Sequence, residues 1–142
     1  MDSPHSDAFD RVPPQALDAE ESVLGSMLLS KDAIGEIGEI LKGVDFYRPQ
    51  HESIFDVVMD LYARGEPADP ITVTAELGRK GDLKRVGGAA YVHSLTGSVP
   101  TTANATHYAR IVREKAQLRR LVSAGTRIVQ LGYSEDGGDV DE

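Results

Sequence analysis

The longest uninterrupted helical pattern in the chain is NATHYARIVREKAQLRRLVSAGTRIVQL, residues 104–131, which has no proline and one internal glycine. Its apolar residues recur at spacings of three and four and therefore share one stripe of a helix: Ile111, Leu118, Leu121, Val122, Gly125, Ile128 and Val129. This helix would be roughly 40 Å long, whereas a body built from the preceding residues is only about 30 Å across. We therefore predict that the helix overshoots its own domain and presents an apolar stripe to a partner.

Shorter helical patterns precede the long one and indicate a globular head. The apolar spacing predicts helices over residues 15–29, 31–41, 49–63, 72–80 and 89–95. Ser30 and Thr72 are expected N-caps, and Pro49 suits a first helical position. The sequence ITVT at 71–74 also has β-propensity, but with no partner strand in view we favour a helix.

The predicted fold class is all-α, with about five short helices in the head (residues 13–103) and then the long helix (104–132). Both ends of the chain are polar, acidic and without periodicity. Low hydrophobicity with excess charge is typical of disorder, so we expect a disordered tail over residues 1–12 and an acidic, flexible tail over 133–142.

Charge is distributed unevenly along the chain. The net charge of −8 combines +5 on residues 104–131 with −13 on the remainder. The long helix is thus expected to face something acidic, such as a second copy's head, an acidic partner or a phosphate backbone. An ordinary solvated basic face is an equally weighted alternative. The absence of cysteine fits a reducing cytosol, and no apolar run approaches the ~18 residues of a membrane span.

Catalytic motifs are missing from the sequence. Neither GxxxxGK[ST] nor GxSxG occurs, and the four histidines show no metal-ligand spacing. Asp56 and Asp60 lie four residues apart but off the apolar face of their helix, which favours a solvated surface. A helix-turn-helix is disfavoured because its recognition helix would be AAYVHSL, which lacks the side chains that bind base edges. We predict that this chain is not an enzyme on its own.

Five blocks of sequence, in order, carry a family resemblance. They are RVPPQALDAEESVLGSMLL (11–29), DFYRPQHESIF (45–55), GEPADPITVTAEL (65–77), GGAAYV (87–92) and VPTTANATHYARIVREKAQLRRL (99–121). Each block alone is weak, but together they closely resemble the N-terminal domain of the bacterial replicative DNA helicase, the DnaB family.

The resemblance implies a role in assembly. In that family a linker helix joins this domain to a motor that uses ATP and magnesium to unwind DNA as a hexameric ring, and the motor's motifs are missing here. The family domain has a head and a helical hairpin, whose first arm would be residues 104–131 and whose second arm would begin near Asp139. Hairpins of two copies pack together, and three dimers form a collar on which the C-terminal domain of primase docks. A helicase loader is a further candidate partner, and the implied location is the bacterial cytoplasm.

The candidate contact residues follow from the stripe and from this resemblance. We predict Tyr91, Val122 and Ile128 as apolar contacts for primase or a sister hairpin, within an exposed stripe that includes Leu118 and Leu121. Arg119 and Arg120 would be flanking polar contacts. The alternative for Tyr91 and Val122 is an ordinary place in the core.

Two other functions remain open from the sequence. Basic residues of the long helix could bind single-stranded DNA through phosphates: Arg110, Arg113, Arg119, Arg120 and Arg127. Few aromatic residues accompany them for base stacking, and the chain is acidic, so we expect weak or no nucleic-acid binding. An unrelated helical adaptor is the third hypothesis.

Overall fold

The structure, a computed structural model, describes residues 11–134, and all regular structure in this range is helical, which confirms the all-α prediction. The α-helices are α1 (Leu17–Leu29), α2 (Lys31–Gly38), α3 (Pro49–Ala63), α4 (Pro70–Arg79), α5 (Leu83–Val86), α6 (Gly88–Ser94) and α7 (Ala105–Gly132). Three 3₁₀ turns connect them, at Gly43–Asp45, Leu95–Ser98 and Thr102–Asn104. Most of both predicted tails, and the start of a second hairpin arm near Asp139, lie outside the described residues.

Helix starts follow from local side-chain chemistry. Ser30 caps α2 as predicted, because its hydroxyl accepts a hydrogen bond from the amide of Ala33 at 3.2 Å. Helix α4 begins two residues earlier than predicted, and its N-cap is Asp69 rather than Thr72. The Asp69 carboxylate accepts from the Thr72 amide at 2.8 Å, and the Thr72 hydroxyl accepts from the Asp69 amide at 2.9 Å. The two residues thus form a reciprocal capping box, with Pro70 at the first helical position.

Helix α5 is not among the predicted helices. Its buried residue Val86 holds this short helix to the core, and Leu83 packs partly buried beside it. Gly87 follows at φ 113°, a left-handed conformation that glycine adopts without strain. It allows α6 to start immediately after α5, in a new direction.

Helix α1 lies at the centre of the head and contacts α2, α3, α7 and the 3₁₀ turn Leu95–Ser98. Its residues Val23, Leu24 and Met27 are completely buried. A Cβ added at Gly25 would overlap the Leu95 carbonyl oxygen and lie 2.5 Å from Cγ2 of Val99. Glycine at this position therefore lets the turn lie directly against α1.

Helix α7 begins within one residue of the predicted start and belongs to the head only over its first half. Its buried residues are Ala105, Ala109, Val112 and Ala116. Beyond Ala116 no described residue of the helix is buried. The remaining residues, which we call the arm (117–132), extend about 24 Å from the head at 1.5 Å per residue.

Candidate interaction surface

Helix α7 has two different apolar faces. Ala105, Ala109, Val112 and Ala116 recur at three- and four-residue spacing and form the face that contacts the head. The residues predicted as a stripe lie roughly on the opposite side, given 3.6 residues per turn. Ile111, the first of them, is partly buried against the core, whereas those from Leu118 onward are exposed. The first half of the helix thus packs on the head mainly through small side chains, and the large apolar side chains of its second half point away from the head.

We call the opposite face the outward stripe, and it consists of Leu118, Leu121, Val122, Gly125, Ile128 and Val129. Leu121 and Ile128 are each 69% exposed, Val122 is 55% exposed and Leu118 is 41% exposed. Nothing lies within 4 Å of a Cβ added at Gly125, so the centre of the stripe is open. Contiguous exposed apolar patches are typical of interaction sites, so the outward stripe is the candidate interaction surface.

Arg119 lies off the outward stripe and binds the head. Its guanidinium donates to the carbonyl of Pro14 at 2.8 Å and to the carbonyl of Asp45 at 2.7 Å. It also lies over the Tyr47 ring, 5.4 Å from the centroid. Arg120 donates to the Asp45 carboxylate. Both arginines are therefore engaged within the chain, and a partner that used them, as predicted, would have to compete for them.

Three other basic residues of α7 are exposed: Arg110, Arg113 and Arg127. Within residues 11–134 none of them forms a salt bridge. Arg127 lies with Val44 and Ala124 along a shallow groove on the head-facing side of the arm. These residues are the free cations on which a phosphate contact would depend.

Tyr91 differs from the predicted contact residues of the arm, because its hydroxyl takes part in a hydrogen-bond network inside the head. His51 is completely buried, with Nδ1 2.7 Å from Glu20 Oε1 and Nε2 2.6 Å from the Tyr91 hydroxyl. The Tyr91 hydroxyl also lies 3.1 Å from a Glu21 carboxylate oxygen. Burial, with the Glu21 charge adding to it, raises the pKa of Tyr91 to about 12, so the phenol keeps its proton.

A count of donors and acceptors indicates how this network is satisfied. The Glu20 carboxylate only accepts, so Nδ1 of His51 must donate to it, and Glu20 also accepts from the Tyr47 amide at 2.7 Å. Tyr91 donates its proton to Glu21, and Nε2 of His51 lies within hydrogen-bond distance of the same phenol oxygen. The network thus connects α1, α3 and α6 through buried and half-buried polar groups.

The sequence did not indicate this network. Glu20 lies in the first turn of α1, where the helix dipole favours a carboxylate whatever its contacts in the fold. The three elements that contribute the network are distant in sequence, and helical periodicity registers large apolar residues rather than buried polar ones. The structure places Tyr91 half-buried, and its predicted partner contact stays a prediction.

No arrangement of catalytic groups stands out in the described residues. No group of three or more His, Cys, Asp and Glu side chains in residues 11–134 is placed to hold a metal ion. Asp60 is exposed and paired with Arg64 at 3.4 Å, and Asp56 is exposed, as expected of a solvated surface. Among the helices of the described part, none is both long and apolar enough to cross a membrane.

Comparison with known proteins identifies relatives over nearly the whole chain. It is 61% identical to the replicative DNA helicase DnaB of Mycobacterium leprae over 98% of this chain and 23% of that protein. It is 57% identical to the DnaB of Leifsonia xyli subsp. xyli over 93% of this chain and 29% of that protein. The chain thus spans about a quarter of the length of these relatives, which corresponds to their N-terminal domain.

Solved structures show the same fold. The crystal structure of the N-terminal domain of DnaB helicase from Mycobacterium tuberculosis matches with a TM-score of 0.87 and 61% identity, covering 92% of this chain and 94% of that one. The N-terminal domain of DnaB helicase from Helicobacter pylori, described with its interactions with primase, matches with a TM-score of 0.68 over 82% of this chain and 91% of that one. At 18% identity the second match concerns the fold alone.

The sequence model of the DnaB-like helicase N terminal domain family matches residues 12–114, from the residue before Pro13 to the first turns of α7. These residues include the whole head and all but the last member, Ala116, of the small-residue face that attaches the long helix to it. The chain therefore belongs to the DnaB-like helicase N-terminal domain family.

Proposed function

We propose that this domain is a non-catalytic assembly and docking module of a hexameric replicative DNA helicase. The observation that carries the proposal is the outward stripe, which leaves large apolar side chains exposed on a helix that extends beyond its own head. In the full-length protein a motor domain would use ATP and magnesium to unwind DNA in the bacterial cytoplasm. This domain would contribute the collar of that ring.

Assembly would proceed by burial of the outward stripe against the same stripe of a second copy. A two-fold contact of this kind is self-complementary, as is usual for dimers. Each side chain such as Leu121 or Ile128 that becomes fully buried contributes about 1.5–3 kcal/mol. Gly125, with open space above it, would allow the two helices to approach closely. Three such dimers, completed by the second hairpin arm expected near Asp139, would form the collar.

Docking of primase would use the same end of the domain. The fold is shared with the Helicobacter pylori domain that is described with its interactions with primase. An exposed apolar helix suits recognition in a hydrophobic groove, with anchors at three- and four-residue spacing. Where a second copy does not cover the stripe, we propose Val122 and Ile128 as such anchors for the primase C-terminal domain, with Tyr91 as a further contact on the head. A helicase loader would be a second partner of the assembled ring.

The assembly proposal is tested by sedimentation of matched double variants. Val122→Asp with Ile128→Asp places two carboxylates in the outward stripe, and Ser123→Asp with Gln130→Asp places two on the other side of the same turns. We expect the stripe variant to associate at least about tenfold more weakly, because each buried carboxylate would lose its hydration. The control should associate as the unchanged chain does. Equal association of all three proteins, with equal helicity by circular dichroism, would refute the assembly proposal.

Docking is tested with the same proteins by titration of the primase C-terminal domain. We expect weaker binding to the stripe variant, and binding to the Ser123→Asp, Gln130→Asp control that equals that of the unchanged chain. Primase affinity that is unchanged in the stripe variant would remove these residues from the docking site.

Contact with single-stranded DNA is the alternative function, and the free Arg110, Arg113 and Arg127 favour it. If it operates, anisotropy of a labelled oligonucleotide will show tight binding at moderate salt. Replacing all three arginines with glutamine would then reduce the slope of log affinity against log salt by about 2, since single strands release about 0.7 counterion per phosphate contact. We expect weak binding without such a slope, because aromatic side chains suitable for stacking are few along this helix.

A further inference from the structure

The apolar packing that attaches α7 to the head ends at Ala116, the last buried residue of the helix. The attached face consists of three alanines and Val112, and Tyr108 and Ile111 pack partly buried beside it. Alanine side chains allow close approach but interdigitate little, so they define an axis direction less firmly than large side chains that fit into grooves.

The arm amplifies any change of that direction. Sixteen residues lie between Ala116 and Tyr133, and the distance between these two residues is about 26 Å along the axis. A tilt of about 10° at Ala116 would therefore move the end of the helix by about 4 Å. This displacement approaches the spacing of one helical turn, so the outward stripe would present a different set of contacts.

Arg119 is the first side chain beyond Ala116 that holds the helix to the head. Its two hydrogen bonds go to main-chain carbonyls of separate segments: Pro14 lies just before α1, and Asp45 ends the 3₁₀ turn Gly43–Asp45. The guanidinium is planar with fixed donor directions, and its position over the Tyr47 ring defines the orientation of that plane. Two carbonyls and one ring thus fix the position of this side chain in three directions.

The acceptor segment is itself held in place. The Asp45 carboxylate accepts from the Lys42 amide at 2.8 Å and from the Arg120 guanidinium, and Asp45 is buried. Neighbouring Tyr47 donates its amide to buried Glu20. Arg119 therefore connects α7 to a part of the head that the buried polar network fixes.

We propose that Arg119 is a positioning residue that sets the angle between α7 and the head, and thereby the orientation in which the outward stripe meets its partner. The first part of this inference stands on the contacts alone. The second part rests on the proposed assembly function. The side chain acts through geometry, since its bonds go to neutral carbonyls rather than to a partner's charge.

Distances between spin labels on the head and on the arm test the angle directly. The chain has no cysteine, so Asp32→Cys on α2 and Thr126→Cys on α7 give two defined sites for nitroxide labels. The measurement uses the Val122→Asp, Ile128→Asp background, diluted with unlabelled chain, so that distances within one molecule are recorded. Failure of the assembly proposal would leave this measurement intact.

Arg119→Ala should shift or broaden the distance distribution by several ångströms. Arg119→Lys should do so too, because an ammonium cannot hold both carbonyls and stack on the ring. Arg127→Ala, on the same helix but without a salt bridge among the described residues, should leave the distribution narrow. A narrow, unshifted distribution in Arg119→Lys, with the unfolding midpoint retained, would overturn the inference.

A second readout concerns presentation of the stripe. With the outward stripe intact, Arg119→Lys should weaken association in sedimentation although no stripe residue has changed. Unchanged association, together with a broadened label distance, would overturn the second part of the inference. A purely structural role would instead lower the unfolding midpoint and leave the label distance unchanged.

Discussion

The two halves of α7 differ in which apolar side chains are buried. Up to Ala116, α7 is buried through small side chains against a head whose core residues are almost all covered. Beyond it, Leu121, Val122 and Ile128 are more than half exposed. Amphipathic patterning alone does not tell which apolar face a domain covers. In α7 the larger side chains are the ones left for a partner.

This difference assigns stability and association to separate parts of the molecule. Global unfolding of the head requires exposure of its core and of the Glu20–His51 pair, whereas the arm can open locally with little cost to the head. Substitutions of one type should therefore give different results in the two regions. The following three comparisons test this separation, in order of decreasing effect.

The largest contrast is expected between two glutamates. Glu20→Gln replaces one carboxylate oxygen with an amide donor, which then faces the Tyr47 amide or the His51 ring. Leaving a buried donor without its charged acceptor costs more than the about 1–3 kcal/mol of a neutral unsatisfied group. Glu114→Gln, on the exposed surface of α7, should change stability by no more than about 0.5 kcal/mol.

Urea denaturation of both variants at neutral pH measures this contrast. Two-state analysis suits a head of this size. If Glu20→Gln lost less than about 1 kcal/mol, the network would contribute no more than an ordinary surface site does. The buried network would then not differ from an exposed position on α7 in the way described.

A smaller contrast is expected between two helical glycines, because replacing one with alanine should destabilise the fold and replacing the other should stabilise it. A Cβ at Gly25 would overlap the Leu95 carbonyl, and forced packing of this kind costs about 1–3 kcal/mol. Gly125 has nothing within 4 Å, so Gly125→Ala should stabilise the helix locally by about 0.5–1 kcal/mol.

The two effects need two measurements. The urea midpoint reports Gly25→Ala in the head, and amide hydrogen exchange over residues 121–132 reports Gly125→Ala in the arm. Slower exchange in the arm together with weaker association would sharpen the comparison, because it would show that a partner approaches Gly125 closely. Faster exchange in the arm would contradict an open site at Gly125.

Sequence patterns sufficed for the elements but not for the contacts that hold them together. The span Pro49–Ala63, the start of α7 and the Ser30 cap depend on local chemistry, and the structure agrees with all three. The Thr72 cap was wrong because Asp69 and Thr72 are both good capping residues, and their reciprocal bonds place the start at Pro70. Helix α5 was missed because a single buried side chain, Val86, defines it.

The candidate site shows the same limit. Helical spacing correctly placed Leu121 and Ile128 on one exposed stripe. It could not show that alanines such as Ala109 attach α7 to the head, since small residues contribute weakly to an apolar pattern. It also assigned Arg119 to a partner, because which carbonyls a guanidinium binds depends on segments that only the fold brings together.

The smallest contrast concerns the loss of folding stability at acidic pH. In the head, the Arg79 guanidinium, which hydrogen-bonds Glu76 at 2.7 Å, and nearby Arg64 lower the pKa of Glu76 to about 2 from 4.5. A carboxylate with a lowered pKa in the folded state stabilises the fold above its unfolded pKa. That contribution is lost as the pH falls from 4.5 towards 2.

Glu76→Gln should therefore flatten the dependence of the urea midpoint on pH within this window, with the variant and the unchanged chain converging at the acidic end. Glu114→Gln on α7 is the control, since Glu114 forms no salt bridge within residues 11–134 and its replacement should leave the acid dependence as it is. Equal flattening by both substitutions would indicate a general effect of net charge. In that case the acid response would not distinguish the Glu76 ion pair from an unpaired carboxylate on α7.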